Sequence, residues 1–323
     1  MKTLVTGASG FIGSGVVRAL RASGHEVRCF LRAGSSTDRI AHLPFERAKG
    51  DVLDAASVHA AAAGCEAIVH LASLSSWSAL GSAGVERVAV EGTRNVLSAA
   101  REAGGLRVVH VSSVVAVNGS TAPRCFDETA PYTLDDEDLP YARGKRSAEA
   151  LCLDAAHDGL HVVIVNPAEV YGPRDTGFVT ASTLVDFARS RPVIVPDGGT
   201  SVVHVDDVAT GIVRALERGR CGERYILGGE NVTVRRLAEL TLEILGRRGP
   251  VLSVPNGILR ALARAATRLS LPLPFEPNVV PYATRYWFVD AGKASRELGV
   301  SFRSARQTLE PTLAWLRENG SLA

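Results

Sequence analysis

A run of small and β-branched residues, Lys2-Thr3-Leu4-Val5-Thr6, leads without a break into Gly7-Ala8-Ser9-Gly10-Phe11-Ile12-Gly13, and an amphipathic stretch over 11–23 follows. In a chain with 31 glycines this spacing alone means little, but at a strand-to-helix junction each glycine has a mechanical reason. Gly7 permits a tight turn, Gly10 lets the backbone approach an anion, and Gly13 lets helix and strand pack closely. The first amides of the helix, with Ser9, Phe11 and Ile12 beside them, are then left for the pyrophosphate of a dinucleotide.

The strand-helix rhythm continues. Strands predicted over 26–31, 67–71, 107–112 and 161–166 alternate with helices over 54–63, 85–103 and 141–157. Strands apolar on both faces, separated by helices, specify a parallel sheet covered on both sides: an α/β, doubly wound Rossmann domain. It is expected to span 1–166, with 201–228 returning to it as a strand, a helix and a further strand. Prolines interrupt the pattern in 167–200, and from Val232 the chain reads as helical. Residues 167–200 and 229–323 are therefore read as a smaller, interleaved C-terminal lobe that binds substrate. Within it, 258–269 place Arg260, Arg264 and Arg268 at i, i+4, i+8 beside Leu259, Leu262 and Leu269. The expectation is a helix covering a pocket with its charges in water; a helix on a membrane surface is the other reading.

Composition narrows the classes. With 46% apolar and 22% charged residues, the 323-residue chain lies far from disorder. Thirty-six basic against 34 acidic residues leave +2, too little to draw the chain onto nucleic acid, so the expected partner is a small-molecule substrate recognised locally. Five cysteines (Cys29, Cys65, Cys125, Cys152 and Cys221) are odd in number and widely spaced. They read as reduced thiols, with neither disulfide framework nor metal site. Residues 1–7 lack the apolar run of a signal peptide, and no 18-residue uncharged apolar run follows; the expectation is a cytoplasmic protein without an integral membrane span.

The second strand ends at Leu31-Arg32, where a site for NAD places an acidic side chain against the ribose 2′-hydroxyl. A guanidinium suits a 2′-phosphate, so NADP is expected, with NAD as the alternative. Asp51, beside Val52, is expected to accept from the adenine amino group, or else to cap the helix that starts near Ala55.

Tyr141 and Lys145 lie four apart at the start of a helix, hence on one face. Six tyrosines and four lysines make this spacing rare by chance. A phenol of pKa about 10 is a poor acid-base catalyst at neutral pH, and an ammonium beneath it favours the phenolate. Ser113, with Ser112 as alternative, ends a strand at the carboxyl edge of the sheet, where a hydroxyl can bond the reacting oxygen. Ser113, Tyr141 and Lys145 are the expected catalytic set.

Together these stretches resemble the extended short-chain dehydrogenases/reductases over nearly the whole chain. Further matches are Val69-His70-Leu71-Ala72, Glu91-Gly92-Thr93-Arg94-Asn95-Val96, Asn166-Pro167, Tyr171-Gly172-Pro173 and His204-Val205-Asp206-Asp207-Val208-Ala209. Asn166-Pro167-Ala168, 222–231 and 293–299 are most similar to the dihydroflavonol reductase and 3β-hydroxysteroid dehydrogenase branch, and to hopanoid-associated sugar epimerases. The resemblance implies a homodimer through a four-helix bundle around Glu91 and Tyr141. It also implies cofactor contacts at Leu71, Ala72, Ser73, Val111, Pro167 and Val170, and substrate contacts at Trp77, Asn118 and Phe178. Two positions depart from the pattern: Ala89 stands where asparagine is common, and Thr200-Ser201-Val202-Val203 lacks an arginine that holds the diphosphate of nucleotide sugars. The expected function is an NADP-dependent oxidoreductase moving a hydride between nicotinamide and a ketone or secondary alcohol of a fairly hydrophobic molecule. A nucleotide-sugar epimerase or dehydratase with tightly bound NAD, and a non-catalytic dinucleotide sensor, are the alternatives.

Overall fold

In the computed structural model, which describes residues 1–74, 83–135, 137–269 and 277–322, the N-terminal alternation forms as the pattern demands. Strands β1 (Lys2–Thr6), β2 (Glu26–Leu31), β3 (Glu46–Lys49), β4 (Ala67–His70) and β5 (Arg107–Val111) come first. The two-residue β6 (Cys125–Phe126) follows, then β7 (Val162–Pro167) and β8 (Glu169–Tyr171). The later chain adds β9 (Val193–Pro196), β10 (Gly199–His204), β11 (Arg224–Leu227), β12 (Glu230–Thr233), β13 (Val251–Val254) and β14 (Tyr286–Val289). Helices α1 (Phe11–Ala22), α2 (Ala55–Ala62), α3 (Ala83–Glu102) and α4 (Pro140–His157) connect the first strands. Those that follow are α5 (Ala181–Arg189), α6 (Val205–Arg218), α7 (Val234–Ile244), α8 (Asn256–Leu269), α9 (Val280–Ala283), α10 (Gly292–Leu298) and α11 (Ala305–Glu318).

Seven strands pair in the order β11-β7-β5-β4-β1-β2-β3, all parallel. The chain runs outward from β1 to β3 and then jumps back to β4, so the connections diverge above β1 and β4, where open α/β sheets bind ligands. Central strands are apolar on both faces because both faces are covered: β4 is buried at every position. The edge strand β3 is the opposite, with Glu46, Arg47 and Lys49 exposed and Glu46 paired with Lys2 and Arg28 at 2.6 and 2.8 Å. Charge on an edge strand discourages further pairing. Helices α1 and α6 bury Val16, Val17, Leu20, Ile212 and Leu216 on one face; α2, α3 and α4 bury Val58, Val96, Ala100 and Cys152 on the other. Each large apolar side chain so buried contributes about 1.5–3 kcal/mol.

Helix α4, which carries the tyrosine and lysine, opens with Pro140, whose missing N–H costs nothing at a first helical position. Its Gly144 lies so close to α3 that a Cβ there would sit 3.1 Å from Glu86 Cα. The contact presses α4 against α3 and fixes the height at which Tyr141 and Lys145 meet the sheet edge.

Beyond β7 the structure corrects the expected boundaries. Of the segment 201–228, α6 and β11 do return to the large sheet, but β10 instead centres a second sheet of order β12-β10-β14-β6, with β8 also on β10. A strand buried at every position carries no sign of which sheet it completes. The region from Val232 is not all helical either, since β13 and β14 lie in it, and β13 pairs in parallel with β9. Four-residue strands are too short to display a period of two. Among the described residues, no helix is long and apolar enough to cross a membrane.

A Cβ added to Gly13 would lie 2.1 Å from the carbonyl oxygen of Gly7, a backbone atom that cannot swing away. Gly13→Ala is expected to destabilise the fold by roughly 1–3 kcal/mol, the usual cost of overpacking. A urea melt with an unchanged midpoint would show that the loop has room to move.

Candidate active site

The turn after β1 is built as its glycines require. Gly7 adopts φ 69° and touches the chain leaving β4: a Cβ there would lie 2.9 Å from Ala72 N. Across this junction Thr6 Oγ1 accepts from the amides of Leu71 and Ala72, both at 3.2 Å. Gly10 caps α1 without any side chain, and the first-turn amides of a helix have no partners within it. A cavity of about 700 Å³ opens over this turn and runs across the carboxyl edge of the sheet.

Of the positions expected against the cofactor, all but Pro167 line this cavity. Pro167 ends β7, and its neighbours Ala168 and Glu169 take that wall instead. Arg32 is exposed, lines the cavity and has no protein partner among the described residues. Asp51 also lines it, and its carboxylate accepts from Leu53 N at 2.9 Å; it shapes the loop before α2 and does not cap that helix, whose N-cap is Asp54. The Ser73 hydroxyl is buried at the cavity wall without a hydrogen-bond partner among the described residues. Free helix amides, an unpaired guanidinium and an orphaned hydroxyl along one wall form a donor set that fits a dinucleotide, and the glycines leave room for its backbone approach.

Sequence reasoning missed Arg39, which donates to Ser9 O and Arg174 O at 3.0 Å and to Thr176 Oγ1. It ties the phosphate turn to the loop after β8 and lines the cavity beside Arg32. It sits in a stretch without periodicity, so no local signal marked it.

Ser113, Tyr141 and Lys145 converge on the same cavity. Ser113, not Ser112, is the serine whose polarity acts on the phenol, while its Oγ accepts from Val115 N at 3.4 Å; Ser112 lies buried beside Glu149. Lys145 Nζ sits 5.9 Å from the centre of the Tyr141 ring and donates to Val111 O at 3.0 Å. The expectation of an acidified phenol is overturned. Burial pushes Tyr141 up to about 12, against a smaller downward pull from the Ser113 hydrogen bond. Burial likewise lowers Lys145 to about 8, opposed by the charge of Glu149. Desolvation penalises both charged forms, and at this distance the partly neutralised ammonium does not outweigh it.

Behind these groups lies a buried polar layer. Glu149, four residues beyond Lys145 on α4, is 1% exposed; Asn166 donates to it at 2.5 Å and Arg224 lies 3.5 Å away. His70 contacts Thr6 Oγ1 at 2.7 Å and Thr93 Oγ1 at 3.3 Å, and burial lowers it to about 3, so it stays neutral. These contacts tie β4 to β1 and α3 through His70, and α4 to β7 and β11 through Glu149.

The expected substrate contacts fare less well. Asn118 is 1% exposed and does not reach the cavity: its amide donates to Pro131 O at 2.6 Å and its oxygen accepts from Gly119 N at 2.9 Å. Phe178 is 37% exposed and points to solvent at a left-handed φ of 50°, while its neighbours Gly177 and Val179 line the wall. Trp77 lies outside the described residues. The far end of the cavity is formed by Val115, Leu237, Val279, Tyr282 and Trp287, with Arg285 among them. Arg285, 3% exposed, is neutralised by Glu137 at 2.5 Å.

Comparisons with known proteins agree with this geometry. Residues 3–228 match the model of the NAD dependent epimerase/dehydratase family. The chain is 33% identical to sterol demethylase protein B of Methylococcus capsulatus, covering all of both chains. It is also 33% identical to a 4-hydroxy-2-methyl-3-oxo-4-farnesyl-3,4-dihydroquinoline-1-oxide ketoreductase of Stigmatella aurantiaca, over 95% of this chain and 94% of that one. Among solved structures, a double mutant of the dTDP-glucose 4,6-dehydratase of Streptomyces venezuelae with NAD bound superposes with a TM-score of 0.79 at 28% identity, over 99% of this chain and 98% of the other. A doubly wound sheet, a glycine turn at its switch point and a full-length match to such enzymes lead to one assignment: the chain belongs to the NAD dependent epimerase/dehydratase family, the extended short-chain dehydrogenases/reductases, and is an NAD(P)-dependent enzyme.

Proposed function

We propose that the protein is an NADP-dependent oxidoreductase that interconverts a ketone and a secondary alcohol on a fairly hydrophobic small molecule. The observation that carries the reading is the meeting of Ser113, Tyr141 and Lys145 in a cavity whose other end is the glycine turn and whose far wall is apolar. The cofactor, when bound, supplies or accepts the hydride at nicotinamide C4. Tyr141 gives its phenolic proton to the oxygen of the reduced carbonyl, and a phenol held near 12 stays protonated across the neutral range. Ser113 holds the carbonyl oxygen and the phenol in one hydrogen-bonded line. Lys145, anchored on Val111 O, presents its remaining N–H donors to the cofactor ribose. Among the described residues, neutralisation of Arg285 by Glu137 leaves the apolar end without a free cation for a substrate diphosphate, which favours a ketone over a nucleotide sugar. Relatives named for a ketoreductase and a sterol demethylase support the same substrate class. The reading includes a homodimer paired through α3 and α4 and a cytoplasmic setting for five free thiols.

The deciding experiment is a cofactor-exchange assay against a panel of hydrophobic ketones, sterols and nucleotide sugars. Stoichiometric NADPH oxidation with a ketone is expected; turnover of a nucleotide sugar without net consumption of nicotinamide would replace this reading by an epimerase. Tyr141→Phe should lower kcat by about 10²–10⁴-fold with little change in the Kd for NADPH. Arg32→Ala should raise KM for NADPH far more than for NADH, and equal effects on the two would refute the 2′-phosphate assignment. For reduction, kcat/KM should fall as pH rises through about 8, where Lys145 loses its proton. A profile that climbs there instead would mark a group acting as base and end the proton-donor role of Tyr141.

A further inference from the structure

We propose that α8, with the β9–β13 ribbon before it, docks on the surface of an anionic lipid bilayer. Helix α8 has two apolar faces. Leu259, Ala263 and Ala266 turn inward, whereas Ile258 and Leu262, each 53% exposed, share an outward stripe with the exposed Ala261 and Ala265. At 100° per residue these stripes adjoin, so an apolar arc wider than a surface helix needs is only half covered by protein. The ribbon repeats the feature. Ile194 and Leu252 are register partners in the β9–β13 pair, 58% and 50% exposed, while Val193 and Val195 beside Ile194 are buried.

Charge identifies the occupant. Residues 244–275 contain five arginines and no aspartate or glutamate, in a chain whose net charge is only +2. Arg260 is spent on Thr284, its Nε 3.1 Å from the hydroxyl, but Arg248 and Arg264 are exposed and have no protein partner among the described residues. Exposed apolar side chains flanked by unpaired arginines match the interfacial region of an anionic membrane. The position is also apt. Helix α8 packs on α9 and the turn Pro277–Val279, and Val279, Tyr282 and Ala283 of those segments line the cavity. The docked face thus covers the apolar end of the cavity, the end a membrane-dissolved substrate would enter.

The test uses the intact protein and sedimentation with phosphatidylcholine vesicles, with and without phosphatidylglycerol, at low and high salt. Binding only to the anionic vesicles, weakened by salt, is expected. The pair Ile258→Glu and Leu262→Glu should reduce partitioning at least tenfold, and Arg248→Ala with Arg264→Ala by roughly fivefold per arginine. All four side chains are exposed, so an unchanged thermal midpoint shows that the variants fold. Absence of binding at low salt, equal binding to pure phosphatidylcholine, or variants that bind undiminished would each overturn the proposal. So would dissociation of an oligomer by the glutamate pair, which would make this face a contact between copies, or tighter binding to nucleic acid than to vesicles. Because vesicle binding is read without turnover, its failure is distinguishable from failure of the reductase reading.

Discussion

The site depends on a backbone contact no side chain could replace. Gly7 turns left-handed against the chain leaving β4, and Gly13 rests on the Gly7 carbonyl. The two contacts force α1 to start directly above the diverging ends of β1 and β4. Its unpaired amides therefore open onto the same cavity that receives Ser113 from the end of β5 and Tyr141 from the start of α4. A shift of α1 by the width of one methyl group would lift the amides away from the sheet edge, and the cavity would lose its anion-binding wall.

Within that frame, desolvation decides the protonation states. A lysine under a tyrosine suggests an ion-assisted phenolate, yet Tyr141 rises and Lys145 falls because both are buried before any charge from a ligand reaches them. The consequence is directional. A protonated phenol and an ammonium near its own pKa form a site arranged to give a proton, the direction that the proposed carbonyl reduction needs. Glu149, Asn166 and the neutral His70 extend the same logic inward, since each is held by a neighbour that satisfies part of its polarity.

The two lobes solve different problems. The central strands of the larger sheet are buried on both faces. The smaller lobe closes the far end of the cavity with short strands and helices, and its outer surface carries the excess of arginine and exposed isoleucine and leucine.

Local chemistry and strict spacing were legible in the sequence. Gly7 and Gly13 declare a turn because only glycine tolerates their backbone contacts. Tyr141 and Lys145 declare a shared face because a helix repeats every 3.6 residues, and the parallel sheet follows from strands apolar on both sides. Other features arose only in three dimensions. Arg39 reaches Ser9 and Arg174 across 30 and 135 positions of the chain, and β10 joins a second sheet through partners as distant as Tyr286. Asn118 and Phe178 have side chains suited to a substrate pocket, yet one is consumed by a turn and the other faces water. Spacing along a chain encodes contacts within a turn or a helix; which buried surfaces meet, and how far burial moves a proton, is settled by the packing of the whole.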